Sequence, residues 1–213
     1  MSFFENTRKP VGFGGKIMVA MMNVGHSAVA RWGLQFLNAA PDAKVLDCGC
    51  GGGANIKRLL KKCPEGIVKG IDYSPVSVEK SKKVNEAAIA EGRCTVLQGS
   101  VADMIFAGDW FDAVTAFETV YFWPDLPQCF REVYRVLKPG GTLLICNESN
   151  GDTDSLWYTG SSVLLESSAR PGRRSRGSPS ASAQPTTTVR YSPFPTSNTG
   201  CKIPPPHLLL SCL

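Results

Sequence analysis

Val45-Leu46-Asp47-Cys48-Gly49-Cys50-Gly51-Gly52-Gly53-Ala54 is the stretch that decides the fold. An apolar run ends in an acid, and glycines then stand at 49, 51, 52 and 53 before helical spacing begins. Glycine lets the backbone turn tightly and lets a ligand approach the main chain, so a strand, a sharp turn and a helix are expected in that order. The glycines alone leave the ligand open. Gly49-x-Gly51-x-x-Ala54 also satisfies the fingerprint of dinucleotide-binding turns, and Asp72 lies near the separation expected of an acid that grips a ribose.

Outward from the turn, short apolar segments alternate with helical ones, the signature of a parallel sheet covered by helices. Strands are expected over residues 44–47, 67–71, 94–98, 113–117 and 142–146, with helices over 54–63, 75–91 and 126–137. Ser74 stands as an N-cap with Pro75 in the first helical position, and Gly92 stops that helix. Phe111-Asp112-Ala113 reads as the entry to the fourth strand and Pro139-Gly140-Gly141 as the turn into the fifth. Residues 16–40 carry Met18, Met21, Met22, Val29, Trp32, Leu34, Phe36 and Leu37 and read as mainly helical. The expected fold class is α/β, a doubly wound, mostly parallel, Rossmann-like sheet. A helical cap segment at 1–40 precedes a domain at 41–154. In such sheets ligands sit beyond the carboxyl ends of the strands.

From about residue 155 the character changes. Residues 155–213 hold 12 Ser and eight of the chain's 15 Pro, without helix or strand periodicity, so a disordered Ser/Pro-rich tail is expected. A linker or interaction tail would read this way, and so would a change of coding frame near Asp154. The net charge of +5 belongs to this tail, because residues 1–154 hold seventeen basic and seventeen acidic side chains. A nucleic-acid groove across the fold therefore has no compositional support. No apolar run reaches the roughly 20 residues of a membrane-spanning helix. The amino terminus lacks the pattern of a secretory signal, so a cytoplasmic protein is expected. Its eight cysteines then read as free thiols. Cys48 and Cys50 lack a second Cys or His pair at metal spacing, so no metal site is expected.

Asp47 separates the two ligand classes the glycines admit. A dinucleotide would bring its anionic pyrophosphate against this carboxylate. At about 4 Å a unit-charge pair is worth roughly 1 kcal/mol in water and about 4 kcal/mol at an effective dielectric near 20. S-adenosylmethionine instead brings an ammonium and a sulfonium, and the same acid attracts them. With Gly70-Ile71-Asp72-Tyr73-Ser74, Gly99-Ser100-Val101, Phe111-Asp112-Ala113-Val114 and Glu132-Val133-Tyr134-Arg135-Val136-Leu137-Lys138-Pro139-Gly140-Gly141 following in order, the chain resembles class I S-adenosylmethionine-dependent methyltransferases. It is similar in particular to the small-molecule group that includes the quinone-biosynthesis C-methyltransferases. The resemblance spans about half of the chain. It implies a cofactor site built from Asp47, Cys48, Gly49, Gly51, Asp72, Tyr73, Ser100, Val101 and Phe117. Gly49 and Gly51 would offer backbone to the methionine moiety, Asp72 would bind the ribose hydroxyls, Tyr73 would lie along the adenine, and Ser100-Val101 would meet its edge. Ser100 departs from the acid common in the family. Asp72 also stands where it would cap the following helix, and Tyr73 where it would simply pack.

Methyl transfer from a sulfonium is an in-line displacement, so alignment in a water-poor pocket supplies most of the acceleration, and a base is needed only for some acceptors. Near the exit of the fourth strand Glu118 and Tyr121 are the candidate catalytic groups, with Phe117, Thr119, Phe122 and Trp123 as walls around a small-molecule acceptor. A solvated loop carboxylate and core aromatics are the plainer readings. His26 and the Met18, Met21, Met22 group are weaker candidates for a base and a lid. Class I methyltransferases usually add a helix and an antiparallel strand pair after strand five. Nothing beyond Asp154 reads as these, so the last strands appear missing, the fifth strand is expected at an exposed apolar edge, and stability and turnover are expected to suffer.

Overall fold

The computed structural model describes residues 27–147 and the backbone of two further strands at 161–167 and 187–193. Its elements are α1 (Ser27–Gly33), β1 (Lys44–Cys48), α2 (Ala54–Lys62), β2 (Ile67–Asp72), α3 (Pro75–Val84), α4 (Glu86–Ala90), β3 (Cys94–Gln98), β4 (Phe111–Phe117), a single 3-10 turn at Val120–Phe122, α5 (Leu126–Val136), β5 (Leu137–Asn147), β6 (Ser161–Ser167) and β7 (Thr187–Pro193). The strands lie in the order β3-β2-β1-β4-β5-β6-β7. The first five are mutually parallel, as expected. The order runs outward from β1 in both directions, which makes the gap between β1 and β4 the switch point where ligands bind in doubly wound sheets.

Each central strand is apolar on both faces because helices cover both. Val45, Val68, Val96, Ala113 and Leu144 pack in a cluster with Ile56 and Leu59 of α2 and Val29 and Ala30 of α1. Leu46, Ile71, Val114, Leu143 and Ile145 pack on the opposite face with Cys129, Val133 and Val136 of α5. Adjacent residues thus belong to different cores, the near-continuous burial of a parallel sheet.

Three departures from the sequence expectation have physical causes. The single helix expected over 75–91 is broken into α3 and α4 at Asn85, whose buried amide donates to Ser81 O at 2.9 Å and to Gly53 O at 3.0 Å. Asn85 thereby ties the helix to the glycine turn, a tertiary contact that helical spacing does not reveal. Second, Pro139-Gly140-Gly141 lies within β5 rather than ahead of it. The register slips between Phe111↔Leu137 and Ala113↔Thr142, and Gly140 takes φ 79° to absorb the extra residues as a bulge. Third, the apparent loss of the last strands is corrected for the described residues. β6 pairs antiparallel with β5, Leu143 opposite Leu165 and Ile145 opposite Val163, and β7 pairs antiparallel with β6. Val163-Leu164-Leu165 is too short an apolar run to show periodicity. What makes it a strand is the row of backbone donors and acceptors that β5 offers. The remainder of the tail, the amino-terminal residues, His26 and the methionine group lie outside the described residues.

Asn85→Ala is expected to destabilise the chain by about 1–3 kcal/mol, because it strips buried carbonyls of a donor, and urea denaturation measures this. Truncation after residue 154 is expected to lower the melting temperature and promote aggregation by reopening the β5 edge. An unchanged melting curve would mean that β6 and β7 contribute nothing.

Candidate active site at the carboxyl end of the sheet

β1 delivers Asp47 and β4 delivers Thr115 to the same level of the sheet, since the two are registered partners in the parallel pair. Asp47 is 1% exposed. Thr115 Oγ1 donates to its Oδ1 at 2.8 Å, while Oδ2 is buried without a hydrogen-bond partner. Loss of solvent pushes the carboxyl up to about 7; the nearby Asp72 pushes in the same direction, and the Thr115 hydrogen bond and Arg58 oppose it. A buried acceptor left unsatisfied costs about 1–3 kcal/mol, more when charged, so Oδ2 marks a place where a donor is missing.

The glycine turn wraps back onto β2. Gly49 N–H and Cys50 N–H both donate to Ile71 O, at 2.8 and 3.1 Å, and Gly51 N–H donates to Asp72 Oδ2 at 2.9 Å. These are the donors that would cradle a phosphate in an anion-binding turn, and here they are committed to the protein. Those three N–H groups are therefore not available to a phosphate. Gly49, Gly51 and Gly53 all take positive φ, which favours glycine. A Cβ on Gly49 would collide with Thr119, whereas one on Gly51 would meet nothing within 4 Å, so Gly51 faces open space. The Asp72 carboxylate lies against this turn through the Gly51 N–H.

Asp72 is buried and uses both oxygens at once, Oδ1 accepting from Ser74 N–H at 2.9 Å and Oδ2 from Gly51 N–H. Burial raises its pKa and these two donors resist the rise. It thus locks the corner, while each carboxylate oxygen keeps a second lone pair for a ligand. Tyr73 follows it at 39% exposed, its ring at the surface rather than in the core. Ser100 Oγ accepts from Ala102 N–H at 3.2 Å and closes the turn that carries Val101, which is buried in the α5-side core.

Two expected site residues point elsewhere. Cys48 is fully buried in that same core, and its thiol is held well above its ordinary pKa by desolvation; any part it takes is through its backbone. Phe117 packs on the α1 face, against the core that includes Cys146. The chain then turns sharply at Glu118, a non-glycine residue at φ 54°, pinned by its N–H to Cys146 O at 2.9 Å. Such strain persists only where the surroundings impose it. Glu118 is buried, and Tyr121 Oη donates to its Oε2 at 2.8 Å. The two candidate catalytic groups are therefore in contact with each other. Phe122 stacks edge-on against Tyr121, while Trp123 lies in the α5-side core with its Nε1 buried and unpaired.

Thr115 and Asn85 were not expected as site-building residues. Thr115 had a legible signal, a hydroxyl inside the otherwise apolar Ala113-Val114-Thr115-Ala116-Phe117, because a buried hydroxyl needs a partner. Among the described residues no group of three or more His, Cys, Asp or Glu could hold a metal ion. No described helix is long and apolar enough to cross a membrane.

Comparison with known proteins agrees with this geometry. Residues 46–145 match the family described as "Methyltransferase domain". Cycloartenol-C-24-methyltransferase 1 of Oryza sativa is 35% identical over 104 residues, 49% of this chain and 30% of its own length. A ubiquinone/menaquinone biosynthesis C-methyltransferase of Geotalea daltonii is 32% identical over 116 residues, 54% of this chain and 49% of its own. The chain thus spans half or less of the length of these relatives. Among solved structures, a Methanococcus maripaludis protein described as an S-adenosyl-L-methionine-dependent methyltransferase superposes with TM-score 0.53 at 26% identity, covering 62% of this chain and 63% of that one. Residues 46–145 thus combine the sequence match to a methyltransferase domain with a doubly wound sheet and a glycine turn at its switch point.

Proposed function

We propose that this chain binds S-adenosylmethionine at the carboxyl ends of β1, β2 and β4 and transfers its methyl group to a small-molecule acceptor. The observation that carries this is Asp47 Oδ2, a buried carboxylate oxygen with no hydrogen-bond partner, beside a turn whose Gly49, Cys50 and Gly51 N–H groups are committed to β2. A cation completes that arrangement and a pyrophosphate opposes it. When bound, S-adenosylmethionine supplies a methyl group activated by positively charged sulfur. Asp47 holds the charged end, Gly51 leaves room for it, Asp72 offers acceptors to the ribose, and Tyr73 and Val101 flank the base. Glu118, braced by Tyr121 Oη, stands at the β4 exit to orient the acceptor or take a proton from it. The sterol and quinone methyltransferases among the relatives support a small organic acceptor.

An acid raised from 3.8 to about 7 holds more protons folded than unfolded between those values. Stability therefore falls as pH rises across that window and stays low above it, at a cost on the order of 4 kcal/mol for the free protein. Asp47→Asn removes that cost. At pH 8 it is expected to stabilise the ligand-free protein by about 2–4 kcal/mol while weakening S-adenosylhomocysteine binding at least about tenfold, read by chemical denaturation and calorimetry. Undiminished binding would overturn the assignment of Asp47.

Glu118→Gln is expected to leave S-adenosylhomocysteine affinity within about twofold and to lower methyl transfer by roughly 10²-fold or more. The assay is tritium transfer from S-adenosylmethionine to small molecules extracted from a cell lysate. Labelled product from the wild type identifies an enzyme. Tight S-adenosylhomocysteine binding with no labelled product would instead favour a protein that keeps the fold for interaction.

A further inference from the structure

The Thr115 hydroxyl carries one proton and has two acceptors within reach, Asp47 Oδ1 at 2.8 Å and Leu46 O at 3.4 Å. The shorter contact is to a carboxylate, and charge-assisted hydrogen bonds are roughly twice as strong as neutral ones. Thr115 is fully buried in the middle of β4, so its hydroxyl has no water to turn to. Registered opposite Asp47, it grips one carboxylate oxygen and leaves the other unpartnered.

We propose that Thr115 is the positioning residue of this cation site: its hydroxyl fixes the Asp47 carboxylate through Oδ1 so that Oδ2 alone is offered to the ligand, and it thereby sets the pH at which the site accepts a cationic methyl donor. This rests on the role given to Asp47 above. The chemistry is a one-proton exchange. Protonated Asp47 releases its proton to solvent as the ligand's ammonium takes the place opposite Oδ2, and Thr115 supplies the hydrogen bond that holds the ionised form. The charged groups acting on Asp47 are Asp72 from β2, which opposes ionisation, and Arg58 from α2, which favours it. Arg58 is held by Asn55 Oδ1 and Ser27 Oγ, at 2.8 and 2.7 Å, so it is a fixed background charge rather than a direct partner of the carboxylate. Thr115 is the only side chain that hydrogen-bonds Asp47 among the described residues.

The test uses the full chain with Thr115→Val, which removes the hydroxyl, and Thr115→Ser, which keeps it. Carbon-13 NMR follows the Asp47 carboxyl in the ligand-free protein, and calorimetry follows S-adenosylhomocysteine binding from pH 6 to 8.5. In the wild type, affinity is expected to rise about tenfold from pH 6 to 8, as one proton leaves. Thr115→Val is expected to move the Asp47 midpoint alkaline by about one pH unit and to carry the binding profile with it, whereas Thr115→Ser stays within about 0.3 unit. If Thr115→Val does not fold, Thr115→Ala removes the same hydroxyl, with circular dichroism as the check. An Asp47 midpoint unmoved by loss of the hydroxyl, or wild-type binding that ignores pH, would overturn this proposal alone. Absence of S-adenosylhomocysteine binding at every pH would overturn the role of Asp47 and this proposal with it.

Discussion

The site depends on one constraint: a carboxylate, Asp47, held out of water at the end of β1 with half of its hydrogen-bonding capacity unmet. Desolvation is the largest influence on it, and a second buried acid, Asp72, adds to the strain rather than relieving it. A protein optimised only for stability would place an apolar residue there. Keeping the acid means holding a cost, which under the proposed function a positively charged ligand offsets on binding, the balance expected where function and stability compete.

The surrounding architecture serves that arrangement. β1 and β4 are neighbours at the reversal of strand order, so Asp47 and Thr115 come level without any loop having to be placed accurately. The glycine turn folds its donors into β2, and Asp72 closes the corner from the other side. Asn85 then fastens the turn's exit to α3. Asp47, Asp72 and Thr115 thus rest on rigid elements, while the strained backbone at Glu118 and the exposed Tyr121 lie beyond the end of β4.

Much of this was legible in the sequence because it is local. The alternation of apolar and helical segments predicts the five parallel strands; β3 begins and ends as expected, and Ser74 caps α3 by accepting from Ser77 N–H. What escaped depends on contacts far along the chain. Asn85 breaks a helix because Gly53 is near, β6 exists because β5 has an open edge, and the directions of Cys48 and Phe117 follow from which core claims them. The family resemblance put both residues in the site, yet a strand sends successive side chains to opposite faces, and only the packed sheet decides which face each takes. Asp47 was legible as a charge, but its unpartnered oxygen and the spent donors of the turn became visible only in three dimensions.

The most direct measurement of the central claim is a paired calorimetric titration of the full chain at pH 8 with S-adenosylhomocysteine and with NAD. A site built around the buried Asp47 carboxyl, with the Gly49, Cys50 and Gly51 N–H groups committed to β2, is predicted to bind S-adenosylhomocysteine saturably and to show no heat of binding with NAD. Saturable NAD binding without binding of S-adenosylhomocysteine would contradict the account.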